Sequence, residues 1–306
     1  MVSSGNSAAR RSKSQREPSI TSRDNRWLKK FRACLAGEEE NEGLTGVEGV
    51  RLVESALGAG LPVEALLVSE SGEKFLAHIE GPLAPEIRIL RTTDRLFAGV
   101  TGTQTPQGIA ALVRPKVFSV EDVLRGIPLV VVLAGVQDPG NVGTILRAAE
   151  AFGASGAATC AAAGIGTANA LAPKALRSSA GAALRLPILR GVSFPILAAQ
   201  LRVSGLKIYA AVPGSHPKTE PKSETGLRTL LPWGVDWKSP TALLIGNEGA
   251  GLPLEIVRAA DAKVCIPPAI ASLGAESLNA AMAATVLLYE AMRQRDQRDW
   301  GASMGA

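Results

Sequence analysis

The feature that most limits how this chain can fold is the regular alternation, through its second half, of short apolar runs with helix-like segments. Leu129–Ala134, Gly156–Thr159, Leu186–Leu189, Lys207–Val212, Thr241–Ile245 and Lys263–Ile266 have strand length and an apolar composition. Between and after them, Val142–Phe152, Ala170–Ala180, Phe194–Val203, Pro253–Ala259 and Ser277–Gln294 read as helices. Such alternation predicts an α/β domain with a mainly parallel sheet covered on both faces. Ligands in open α/β sheets bind where strands end. Three of those junctions here carry polar clusters: GVQDPGNVGTILRAAEAFGA (135–154), LLIGNEGAGLP (243–253) and IPPAIASLGAESLNAAMAA (266–284). Together they suggest one composite site.

In the first cluster Pro139 and Gly140 make a turn, and Asn141 is placed as the N-cap of the following helix. Arg147 lies about a turn and a half further on, and helix N-termini and Arg forks both suit phosphate. In the second, Gly246-Asn247-Glu248-Gly249 lets backbone approach a ligand closely. Glu248 there either orients a donor or serves as a helix-start acid. The string is neither GxGxxG nor a P-loop. In the third, Pro267-Pro268 stops a central strand. Ser277 is read as the cap of the long C-terminal helix, which puts Asn279 inside the first turn, where Asn is intrinsically disfavoured. That placement suggests a hydrogen-bonding task.

The front of the chain is a second unit. Residues 1–24 are Ser- and Arg-rich with few apolar residues and read as a disordered basic arm. Residues 25–115 alternate helix-like and strand-like segments in a small α/β module, 116–128 form a linker, 129–296 form the second domain and 297–306 a tail. The polar stretch Gly214–Ser239 reads as a surface loop. Charge is uneven: the first 32 residues hold nine Arg or Lys against two acids, while the whole chain is only +5. A basic arm on a near-neutral body fits a polyanionic partner, or else is a solubilising leader. No apolar run is long enough to span a membrane, and no secretory signal is expected. Cys34, Cys160 and Cys265 are few and widely spaced, and His78 and His216 are isolated, so neither a disulfide framework nor a metal site is expected. The cytoplasm is the expected location.

In order and spacing, the three clusters resemble the motifs of the SpoU/TrmH family of RNA 2′-O-ribose methyltransferases. The matching strings are NVGTILRAAEAFG, IGNEGAGL, then IPP and ESLNAAMA, and Pro173–Ala182 resembles the family's linking segment. In the front module, VEGVRLV (47–53) and TPQGIAA (105–111) resemble a ribosomal-protein-like substrate-binding domain. The resemblance implies a parallel-sheet methyltransferase domain with a trefoil knot, preceded by that small α/β RNA-binding domain. It implies S-adenosyl-L-methionine as cofactor, held largely by backbone at Gly246, Ile266 and Leu278. It implies a homodimer through the C-terminal helix.

The catalytic positions carried over are Asn141, Arg147, Glu248, Ser277 and Asn279. Arg147 would sit at the ribose 2′-hydroxyl, either as base or as a group that fixes phosphate and stabilises alkoxide charge. Asn141, Ser277 and Asn279 would orient the Arg and the ribose, and Glu248 would hold the second motif or Arg147. The front module points to ribosomal RNA; tRNA, and an RNA-binding protein that kept the fold but not the catalysis, are the alternatives. Pro268 stands where many members have Met, which bears on the shape of the cofactor pocket.

Overall fold

The structure is a computed structural model that describes residues 19–38, 42–79, 87–214, 225–268 and 278–296. The front unit contains α1 (Arg26–Ala36), β1 (Thr45–Glu48), α2 (Val50–Gly58), β2 (Val63–Ser69), α3 (Glu73–Ile79), β3 (Arg88–Thr92), α4 (Asp94–Ala98) and β4 (Ile109–Val113). Its sheet runs β1-β4-β2-β3. β4 is antiparallel to both β1 and β2, and β3 is parallel to β2. Leu28 and Phe31 of α1 pack with Phe97 of α4 against Ala65, Leu67 and Leu112 on one face. Leu52 and Val53 of α2 and Leu76 of α3 cover Leu66, Val68 and Ile109 on the other. Of the residues assigned to the basic arm, those before Ser19 lie outside the described residues. Ile20 is buried and pairs with Thr92, extending the sheet beyond β3.

A helical turn, α5 (Val120–Val123), leads into the second unit. There follow β5 (Leu129–Ala134), α6 (Pro139–Ala151), β6 (Gly156–Cys160), α7 (Pro173–Ser178), α8 (Ala182–Arg185), β7 (Ile188–Val192), α9 (Phe194–Val203) and β8 (Lys207–Ala211). The chain continues through β9 (Thr229–Leu230), β10 (Thr241–Ile245), α10 (Leu254–Arg258), β11 (Ala262–Val264) and α11 (Ala280–Arg295). The strands make one sheet in the order β7-β6-β5-β10-β8-β11-β9, and every pairing in it is parallel. Central β5 is buried along its whole length. Its Leu129, Val131 and Leu133 face a core with Ile145 of α6 and Leu287 of α11, while Val130 and Val132 face Leu197 and Leu201 of α9. Two covered faces are what a parallel sheet requires.

The two units share a core, because the cluster behind α6 and α11 runs on into β2, β4 and α2. Polar contacts reinforce the junction. Arg185 of α8 makes a bidentate pair with Glu150 of α6 at 2.7 and 2.6 Å and also donates to Ser55 of α2. Gly37, the left-handed C-cap of α1, sits so close to Pro173 that a Cβ there would lie 3.0 Å from the ring.

The stretch expected as a surface loop departs from that reading in its described part, 225–239. Thr229–Leu230 forms the edge strand β9, and Trp237 is fully buried, donating to Pro232 O at 2.8 Å and packing 5.7 Å from the Tyr209 ring. A two-residue strand and one apolar anchor carry no periodicity, so the sequence could not reveal them.

Candidate active site

α6 starts earlier than the sequence reading placed it. Asp138 is the N-cap, accepting from Gly140 N at 3.0 Å, and Pro139 takes the first helical position. Proline is pre-shaped for that position and has no N–H to lose. Asn141 is therefore inside the first turn and not the cap, and its side chain is released to reach outward. Lys174 of α7 pairs with the capping Asp138 at 2.5 Å, and this hydrogen bond, with the Gly140 N–H, holds the Asp138 carboxyl below its ordinary range.

The turn after β10 closes on itself and on the turn after β5. Asn247 and Gly251 exchange backbone hydrogen bonds, and the Asn247 Oδ1 accepts from Gly249 N and Ala250 N at 2.9 and 3.0 Å. Asn247 Nδ2 donates to Gly135 O at 2.9 Å. Glu248 crosses to α6, accepting from Gln137 N at 3.2 Å, Asp138 N at 3.1 Å and Asn141 Nδ2 at 2.9 Å. Partial burial pushes the Glu248 carboxyl up, but the Asn141 amide and these backbone N–H groups outweigh it and hold the carboxyl below its ordinary range.

The third cluster supplies Asn279. It is the N-cap of α11, accepting from Ala281 N at 2.8 Å and Met282 N at 3.4 Å. This corrects the assignment of the cap to Ser277, which lies outside the described residues. Asn279 Nδ2 also donates to Asn141 Oδ1 at 3.3 Å. The chain Asn279–Asn141–Glu248 thus ties together the three motifs. Arg147 is not part of it: it lies about 9 Å of helix rise beyond Asn141. Its side chain is exposed and has no hydrogen bond or ion pair among the described residues.

Beside this chain is a cavity of about 400 Å³, within the range of small-molecule sites. Its walls are the turns after β8, β10 and β11 and the start of α11, including Gly214, Gly246, Ile266, Leu278 and Leu287. All three positions assigned to cofactor binding therefore line one cavity. A Cβ on Gly246 would lie 2.6 Å from Leu252 N, and one on Gly214 would run into Ile266 O, so backbone itself forms the wall at both points. Aliphatic faces beside exposed backbone groups fit a flat heterocycle with hydrogen-bonding edges. Glu248, the charged residue among the described lining, suits a cationic centre. The residues present thus fit S-adenosylmethionine. The Pro213–Gly214 turn was not singled out from the sequence, and Asn247 entered only as part of the Gly246–Gly249 turn, with no role of its own. Among the described residues no group of three metal-ligating side chains comes together, and no helix is long and apolar enough to cross a membrane.

Residues 128–289 match the model of the SpoU rRNA methylase family, and residues 38–111 match that of the MRM3-like substrate-binding domain. The chain is 32% identical to the 23S rRNA (guanosine-2′-O)-methyltransferase RlmP of Bacillus subtilis, covering 88% of this chain and 97% of that one. It is 32% identical to a 23S rRNA (uridine-2′-O)-methyltransferase of Streptomyces viridochromogenes, covering 93% and 96%. The solved structure of the SpoU methyltransferase AviRb from Streptomyces viridochromogenes in complex with AdoMet aligns at a TM-score of 0.72 and 28% identity over 89% of this chain and 99% of that one. An AdoMet-bound rRNA methyltransferase from Sinorhizobium meliloti aligns at 0.72 and 28% identity over 90% and 97%. With both matched regions lying in order along one chain, and the three motifs joined through Asn141, this protein belongs to the SpoU rRNA methylase family.

Proposed function

We infer that the protein is an S-adenosylmethionine-dependent methyltransferase acting on a ribose 2′-hydroxyl of ribosomal RNA. The observation that carries this reading is the Asn279–Asn141–Glu248 chain set against the glycine-walled cavity. Family membership and the rRNA substrates named for its relatives support it.

When bound, S-adenosylmethionine supplies an activated methyl group. Gly246, Ile266 and Leu278 hold it in the cavity. Arg147, exposed and without an intrachain partner among the described residues, meets the RNA. A guanidinium is a fork of N–H donors with no acceptor, so it acts as a donor that fixes a phosphate and stabilises negative charge growing on the 2′-oxygen. Glu248 and Asn279 lock Asn141, and with Ser277 these groups orient the ribose; positioning supplies much of the rate.

Leu278, Met282, Val286 and Tyr289 form an exposed apolar stripe along α11, and this stripe is the proposed homodimer surface. The three cysteines are buried and outside any disulfide, which suits a reducing cytoplasm.

The test is transfer of labelled methyl from S-adenosylmethionine to unmodified total RNA, with nuclease mapping of the product. Label in a 2′-O-methyl nucleotide of large-subunit rRNA is expected. Label confined to tRNA would overturn the rRNA assignment. Bound cofactor with no label in any RNA would leave a binding protein.

A further inference from the structure

Helix α1 lies in front of the matched substrate-binding region, which begins at residue 38. It contains Arg26, Lys29, Lys30 and Arg32 and no acidic residue. Trp27 is half-buried at its start and gathers charge from two elements. The Arg26 guanidinium lies 5.8 Å, the Lys30 ammonium 5.8 Å and the Arg88 guanidinium of β3 5.1 Å from its ring centroid. Like charges this close repel one another, and the indole face offsets part of that repulsion. Asp24 lies 3.4 Å from Lys29, and Glu42 and Glu64 pair with Lys30 at 3.0 and 2.6 Å. These carboxylates position the ammonium groups while Arg26 remains exposed to solvent.

Packing explains part of Trp27, whose ring edges the core of the front unit, but not the cations gathered on its outer side. The core under α1 is made by Leu28, Phe31, Cys34 and Leu35 on its other side. Arg forks and Lys ammonium groups concentrated on one outer face suit a polyanion. Gly37 anchors the far end of the helix against Pro173 of the methyltransferase domain. Eleven residues of helix put the cluster about 16 Å from that contact.

We propose that Trp27 with Arg26, Lys29, Lys30 and Arg88 forms a second RNA contact, directed at phosphates that flank the target nucleotide. It rests on the RNA substrate inferred above. Trp27 is a positioning residue that holds the cations together. The patch raises affinity for RNA and takes no part in methyl transfer, so its contribution is sequence-independent and salt-sensitive.

The test uses the full chain and unmodified 23S rRNA transcribed in vitro, with binding measured across a salt series without methyl donor. Replacing Arg26 and Lys29 together by Ala is expected to weaken binding roughly tenfold and to reduce the slope of log K against log salt by about one to two. The loss appears in KM for RNA, with kcat at saturating RNA retained. W27A reproduces the smaller slope, and W27F, which keeps a π face, restores most of it. Arg26 and Lys29 are exposed, so their double variant tests the idea without disturbing the core. An unchanged slope and KM in that variant and in R88Q, with the wild type still methylating rRNA, overturns the patch alone. A wild type that neither binds nor methylates rRNA overturns the functional reading itself.

Discussion

Asn141 shows what a single side chain does here. Inside a helix an Asn is intrinsically unfavourable, yet both ends of this one are used: Nδ2 on Glu248 and Oδ1 on Asn279. The identities of these residues were legible in the sequence, because polar residues in turns between apolar runs stand out. Their connection was not, because each is separated from its partner by more than a hundred residues. Glu248→Gln puts an NH₂ group among three donors, and at least one N–H loses its acceptor. We expect a loss of about 0.5–1.5 kcal/mol in urea unfolding, because these hydrogen bonds are open to solvent, and a fall in turnover of tenfold or more; an unchanged turnover would show that the carboxylate is dispensable. The same carboxylate makes stability depend on pH. It is held below its ordinary range in the fold, so its contribution is fully present above the ordinary carboxylate pKa and is lost as pH falls through the lower folded value. The acid limb of the wild-type stability curve should therefore flatten in Glu248→Gln. Arg147→Ala is expected to lower methyl transfer by about a hundredfold or more with cofactor affinity nearly unchanged in calorimetry. A large loss of cofactor binding would remove Arg147 from the proposed RNA-side role.

Elements were read well where burial is continuous and poorly where capping decides. Leu129–Ala134, Thr241–Ile245 and Phe194–Val203 match their sequence boundaries, because buried parallel strands and a long apolar helix have unmistakable patterns. The starts of α6 and α11 were misplaced because several residues near each start are good caps, and tertiary partners decide among them. The end of α11 holds another feature that no pattern announces. Arg295 donates to four backbone oxygens, those of Trp237 and Ser239 and, in the linker, Ile127 and Pro128, at 2.5–3.0 Å. Burial pushes its pKa down, and among the described residues it forms no ion pair with a carboxylate. This guanidinium pins the last turn of the helix whose first turn carries Asn279. Arg295→Ala leaves carbonyls unpaired, and we expect about 1–3 kcal/mol of destabilisation, with Arg295→Lys recovering only part, since an ammonium cannot span four acceptors in one plane. Equal unfolding midpoints for wild type and Arg295→Ala would show that water replaces the guanidinium at no cost.

At the scale of the whole molecule, α11 joins three functions along one rod. Its first turn anchors the motif network, one side closes the cavity through Ala283 and Leu287, and another presents Leu278, Met282, Val286 and Tyr289 to solvent. Met282 is 62% and Tyr289 51% exposed, an arrangement that a lone domain has no reason to maintain in line. Spacings of four and three residues keep Met282, Val286 and Tyr289 on one helix face, the pattern by which two copies of a helix pack, and Leu278 lies just ahead of the N-cap. Because Leu278 belongs both to this stripe and to the cavity wall, dimer formation and cofactor binding should be coupled. The double variant Met282→Glu, Tyr289→Glu places four like charges across a two-fold interface. It is expected to sediment as a monomer, to keep the circular dichroism of the wild type, and to bind S-adenosylmethionine several-fold more weakly. If wild type and variant both sediment as monomers at micromolar concentration, the stripe has another use and the dimer is wrong. If the variant is monomeric but binds cofactor as tightly as wild type, the dimer stands and the coupling through Leu278 does not.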